Sequence, residues 1–288
     1  MIRTTLLAAS LAIAFTSAQA AQPLAVKVYN ADGNSFNVNS TLLVGEKEAM
    51  VIDAGFTRAD ALRIAANVLD SGKKLTTIYV SQADPDYYFG VETLKEFFPQ
   101  ADVVTTPAVL AKLAPKMAGK LAFWGPKMGA NAPRQPVLPR ALEGNALTLE
   151  GQAIEIRGTE GVLAHRPYAW IPSIQAVVGN IGVFGNMHVW TADTQSAAER
   201  AAWVKQLDEM AALKPALVVP GHMKAGTKVD ASTITFTKDY LQTFEKQLAA
   251  SKNSAELIDA MKKAYPQLTN GAMSLDIGAK VNKGEMKW

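Results

Sequence analysis

The chain contains no cysteine. Disulfide stapling is therefore excluded, as are a thiolate nucleophile and a thiolate metal ligand; any metal site must use imidazole, carboxylate or amide donors. Histidine is scarce as well, with 3 in 288 residues. Beyond residue 20 no apolar run approaches the roughly 20 residues that a bilayer span needs. There is no G-x-S-x-G nucleophile elbow and no phosphate-binding G-x-x-x-x-G-K-[ST] loop. Charge of one sign is lacking too: a formal net charge of +3 is too small to argue for a nucleic-acid or membrane partner. No repeat of fixed period and no low-complexity segment is present.

What is present begins with an export signal. Arg3 supplies a positive start, residues 6–15 are apolar apart from Ser10, and Ala18-Gln19-Ala20 gives the small-x-small pattern read by a signal peptidase. Residues 1–20 are thus expected to be a signal peptide cleaved before Ala21, leaving residues 21–288 as one soluble, periplasmic or secreted domain. The apolar stretch is too short for the alternative, a membrane anchor. A hydrophobic fraction of 49% with 19% charged residues is ordinary for a chain with a sizeable core.

Periodicity predicts a mixed α/β protein. Residues 24–29, 36–44 and 49–53 read as strands, separated by Asp32-Gly33-Asn34 and Gly45-Glu46. A helix over 58–69 follows, with Thr57 at its N-cap position, then a β-branched strand at 76–80, a helix at 92–98 and a strand at 102–105. In the second half, strands are expected at 146–149, 154–157, 168–171 and 176–178. A capping box at Ser196 and Glu199 opens a helix to about Leu213, followed by a buried strand at 216–219. Helices over 231–250 and 254–264, the latter capped by Ser254, close the chain. Residues 115–139 interleave Lys116, Lys120, Lys127 and Arg134 with Met117, Phe123, Trp124 and Met128 among prolines and glycines. They read as an irregular segment, either a surface connector or a lid over a site.

Four places carry a family resemblance. They are the strand end Val51-Ile52-Asp53-Ala54-Gly55, the loop SQADPDYYFG at 81–90, Val177-Val178-Gly179-Asn180, and Val218-Val219-Pro220-Gly221-His222. In order and spacing they resemble the metallo-β-lactamase superfamily, whose corresponding loop reads T-H-x-H-x-D-H-x-G-G. The resemblance implies an αββα four-layer sandwich across nearly all of residues 21–288. It also implies a metallo-hydrolase ancestry, in which imidazoles and carboxylates hold one or two zinc ions that activate a water.

The departures from that pattern concern chemistry. Gln82 and Asp84 stand where the first two histidines belong, Asp86 keeps the aspartate, and Tyr87 replaces the next histidine. Asn180 replaces the bridging aspartate, and His222 keeps the last histidine. His165 does not align cleanly with the middle one and reads as exposed beside Arg166. A glutamine offers only a neutral carbonyl, a tyrosine with a pKa near 10 is a poor ligand at neutral pH, and an asparagine cannot bridge two cations. The family's dinuclear zinc is therefore not expected. Gln82, Asp84, Asp86, Asn180 and His222 would suit at most one harder divalent cation, or none.

Asp86 and His222 are the candidate catalytic pair. Tyr87, Tyr88 and His188 are candidate pocket residues, each equally explained by packing. Asp53 is expected to support the site loop rather than react. Two functions remain open: hydrolysis of a small ester, lactone or amide at an altered site, or non-catalytic binding of a small molecule in the periplasm.

Overall fold

The structure is a computed structural model that describes residues 22–288; the expected signal peptide lies outside the described residues. Six strands form the first sheet in the order β1-β2-β3-β4-β5-β6. They are β1 (Ala25–Asn30), β2 (Asn39–Val44), β3 (Glu48–Ile52), β4 (Lys74–Tyr79), β5 (Asp102–Thr105) and β6 (Arg140–Ala141). β1 to β3 pair antiparallel, and β3 to β6 pair parallel. The second sheet contains β7 (Ala146–Leu149), β8 (Gln152–Arg157), β9 (Tyr168–Ile171), β10 (Ala176–Val178) and, after the short β11 (Phe184–Gly185), β12 (Leu217–Val218). Its order is β12-β10-β9-β8-β7, and β11 pairs separately with β13 (His222–Met223).

The two sheets face each other across one apolar layer. Leu43, Met50, Ile52, Tyr79 and Val104 of the first meet Leu149, Ile154, Ile156, Ile171 and Val178 of the second. The outer face of the first sheet is covered by α1 (Arg58–Ser71), the single turn α2 (Pro85–Tyr88), α3 (Val91–Phe97) and α4 (Pro107–Leu113), through Ile64, Val68, Leu94 and Leu113. After α5 (Met117–Met128), the helices α6 (Ala197–Ala212), α7 (Ser232–Ala250), α8 (Ser254–Ala264) and α9 (Ala272–Asn282) cover the other sheet. They bury Trp203, Leu207, Phe244, Leu257 and Leu275 against it. Helix, sheet, sheet, helix is the expected αββα sandwich. Four of the five residues of β3 are buried, as befits a strand covered on both faces.

Local chemistry sets the ends of these elements. Thr57 and Asp60 form a reciprocal capping box on α1, which stops at Gly72 in the left-handed region at φ 65°. Ser196 and Glu199 do the same for α6. At α8 the cap is Asn253, whose side chain accepts the Glu256 N–H, and not Ser254. The expected strand over 36–44 begins only at Asn39, because Phe36 and Asn37 both take positive φ, at 57° and 58°. Residues 115–139 are not irregular throughout: Met117–Met128 is helical, with Pro126 inside its last turn.

Candidate functional site

The four family-like loops leave neighbouring strand ends and meet between the layers. Asp53 follows β3 in the left-handed region at φ 67° and is buried. Its carboxylate accepts the Ser81 N–H at 2.8 Å and the Ser81 hydroxyl at 2.7 Å, tying the end of β3 to the loop after β4. Burial pushes its pKa up to about 8. Asp53 thus supports the loop, and its oxygens are engaged within it.

Pro85 sits at the first position of α2, where a missing N–H is tolerated. That turn presents Asp86 and Tyr87 inward. His222 lies on β13, its ring stacked on Phe184 at 5.3 Å between centroids and edge-on to Tyr87 at 5.8 Å. Its Nδ1 is 3.0 Å from the Phe36 carbonyl, which can only accept, so Nδ1 carries the proton. Nε2 is then an acceptor, and the Tyr87 hydroxyl donates to it at 3.1 Å. Asp86 Oδ2 lies 3.5 Å from the same nitrogen. Burial is the main cause of a His222 pKa near 4, so the imidazole is neutral at physiological pH.

Gly221 brings these groups together. A Cβ there would meet the Asn180 carbonyl at 2.1 Å and the Tyr87 hydroxyl at 2.7 Å, so the close approach requires glycine. Asn180 itself is occupied by the backbone: its Nδ2 donates to Val219 O at 3.0 Å, and its Oδ1 accepts the Val183 N–H at 2.8 Å. It holds β10 to the strand end after β12.

Gln82 is buried and donates through Nε2 to Pro167 O at 2.9 Å, while its Oε1 has no partner. Asp84 is half-buried and makes no side-chain cap bond to α2. Burial raises the pKa of Asp84 and Asp86 alike, and Asp193 and the charge of Asp86 add to the shift at Asp84. Tyr88 packs beneath α1 and α3 with its hydroxyl unpartnered. His188 is not brought to this group: it bonds Tyr240 at 3.0 Å inside the helical layer of the second sheet.

The donor set does not fit the family's metal centre. The one retained imidazole has its free nitrogen occupied by Tyr87, and the side-chain carbonyl of Asn180 accepts a backbone N–H. Among the described residues no three His, Cys, Asp or Glu side chains converge as a metal group.

Three charged residues belong to the site that the sequence pattern did not single out. Arg166, expected near an exposed histidine, is 4% exposed. Its guanidinium lies over the Trp203 ring at 4.7 Å, and its positive charge lowers the pKa of Asp84, Tyr87 and His222. His165 is itself half-buried, and burial with the Arg166 charge depresses its pKa to about 4. Lys120, on α5, faces Asp84 and Asp86 closely enough to favour their ionised forms. Asp193 accepts the indole N–H groups of Trp190 and Trp288 at the rim. A legible signal was Arg166-Pro167 abutting the buried strand β9, since a charge set immediately against a core strand needs a partner.

The comparisons agree with the architecture. Residues 33–168 match the model of the metallo-beta-lactamase superfamily. The fold is shared with a metallo-beta-lactamase family protein from Thermus thermophilus, at 16% identity over 91% of this chain and 92% of that one, with a TM-score of 0.59. A metallo-beta-lactamase from Pontibacter korlensis is 16% identical over 76% of this chain and 94% of its own, with a TM-score of 0.55. The DIM-1 metallo-beta-lactamase is 16% identical over 77% and 99%, with a TM-score of 0.53. No curated protein sequence matches the chain. The chain has the αββα sandwich of the metallo-β-lactamase superfamily, whose model its residues 33–168 match, and departs at its strand ends from that family's metal-binding pattern.

Proposed function

We propose that the protein binds a small molecule, without metal catalysis, where its relatives hold metal. The observation that carries this reading is the double commitment of His222, with Nδ1 to Phe36 O and Nε2 to the Tyr87 hydroxyl. A histidine bonded at both nitrogens is neither open to a cation nor free to take a proton from water. Groups nearby that lack partners, Gln82 Oε1 and Arg166 Nη2, support binding over an inert fold.

The test is a panel of small esters, lactones, amides and β-lactams assayed with and without added zinc, beside thermal melts against small polar compounds. The expected result is no turnover and a ligand-dependent rise in the melting midpoint. Turnover that disappears in folded Asp86→Ala and His222→Ala variants would overturn it.

That outcome would establish the second reading, a hydrolase of a small ester, lactone or amide. It is favoured by Asp86 Oδ2 lying 3.5 Å from His222 Nε2, and by a burial-raised carboxyl pKa of the kind a general base uses near neutral pH.

The proposed location is the periplasm or the exterior, from the signal-like residues 1–20. Mass spectrometry of protein from the native host should find Ala21 at the mature N-terminus; a cytosolic chain retaining Met1 would contradict it.

A further inference from the structure

A guanidinium that is nearly sealed from solvent normally sits in a fork of carboxylate or carbonyl oxygens, because an unpaired buried charge costs several kcal/mol. Arg166 has no such fork. Among the described residues it forms no ion pair, its Nη2 has no hydrogen-bond partner, and the face of Trp203 lies against it at 4.7 Å. A cation over an indole is stabilised by the ring but keeps all its N–H donors in the guanidinium plane. Those on Nη2 lack an acceptor.

The complementary deficit is tied to the next residue of the chain. Gln82 is anchored through Nε2 to the carbonyl of Pro167, which fixes its orientation and leaves Oε1 as a buried acceptor without a donor. On the same loop, the Asp84 side chain has no hydrogen bond or ion pair among the described residues. Asp86 has only the neutral His222 within ion-pair distance. An unpartnered buried donor, Arg166 Nη2, and an unpartnered buried acceptor, Gln82 Oε1, thus lie on either side of Pro167, with the carboxylates of Asp84 and Asp86 on the Gln82 loop. They do not satisfy one another, since no Arg166 ion pair forms with either aspartate.

We propose that this cluster is a binding site for a small zwitterion, a free amino acid or similar amino-carboxylate. Its carboxylate would lie on Arg166 and its ammonium among Asp84, Asp86 and Gln82 Oε1. This rests on the binding reading above and names the ligand class. The matching is one of donors and charges. A carboxylate takes two parallel bonds from a guanidinium, and an ammonium brings three donors to three acceptors. An anion alone would satisfy Arg166 and be repelled by the aspartates; a cation alone would leave Arg166 unpaired.

Calorimetric titration of the purified protein with glycine and L-alanine tests it, against acetate and lactate, ethylamine and ethanolamine, and acetamide. The zwitterions should bind and raise the melting midpoint, while the singly charged and neutral compounds should bind on the order of 30-fold more weakly or not at all. Arg166→Met should abolish zwitterion binding, and Arg166→Lys should retain part of it. Should Arg166→Met fail to fold, Gln82→Met, which removes the free acceptor together with the Nε2 bond to Pro167 O, must still weaken the zwitterions. Carboxylates alone binding as tightly as the zwitterions, or unweakened binding in Gln82→Met, would overturn the ligand class while leaving the binding function standing. Binding of none of these compounds would overturn the class and count against the binding function as well.

Discussion

A carbonyl oxygen can only accept, and that fact at Phe36 fixes the proton of His222 on Nδ1 and turns Nε2 toward Tyr87. Tyr87→Phe would leave a buried imidazole nitrogen without its donor. The expected cost is about 1–3 kcal/mol of stability, read as a lower urea midpoint at unchanged slope. Titration should reveal the buried acids as well. Burial raises the Asp53 pKa to about 8, so the stability from its neutral form is present below the ordinary carboxylate range and is lost as pH rises through about 8. The buried His222 and half-buried His165 act oppositely: both are depressed to about 4, and their contribution is lost as pH falls from the ordinary histidine range through 4. Above the histidine range only the acids remain, so the melting temperature should fall between about pH 6.5 and 8. Asp53→Asn should flatten that fall; an unchanged slope would mean that Asp53 is ionised in the fold.

Among the elements, α1 shows how one side chain sets an approach angle. Asp60 closes the capping box with Thr57 and also accepts the Tyr29 hydroxyl and the Ser35 hydroxyl, each at 2.6 Å. It therefore ties α1 to β1 and to the turn before β2, beside the Phe36 carbonyl that fixes His222. Asp60→Ala strips a buried acceptor from four donors and should cost about 3–5 kcal/mol. Chemical denaturation would check it; a loss below about 1 kcal/mol would place the restraint elsewhere. Most elements were legible in sequence, because strands such as 102–105, 146–149 and 168–171 are bounded by turn residues and α1 and α6 carry capping boxes. The helix at Met117–Met128 was not, since Gly119, Gly125 and Pro126 masked the helical spacing of Met117, Leu121, Trp124 and Met128, which pack on the first sheet's cluster. Serine suits an N-cap, which is why Ser254 reads as one, but Asn253 immediately before it reaches Glu256 N.

At the scale of the molecule, the order of four strand ends was enough to place the αββα sandwich, because that order reflects which strands lie side by side. The site was legible only in part. Position in the loop pattern brought out Gln82, Asp84, Asp86, Tyr87 and His222, but not which of their atoms the fold occupies. Arg166, just before β9, and Lys120, on α5, act on Asp84 through their charge across long sequence separations; the charge set against β9 marked Arg166, and nothing local marked Lys120 as its counterpart. The fold has been kept, while at the family's ligand positions His222 and Asn180 are held in internal hydrogen bonds that leave no family-type metal centre. Elemental analysis of protein purified without chelators or metal affinity tests this most directly, followed by dialysis against excess zinc and then buffer. Zinc should stay well below one equivalent at both stages, in the wild type as in Asp86→Ala. One or two equivalents that survive dialysis, and disappear in Asp86→Ala, would contradict it.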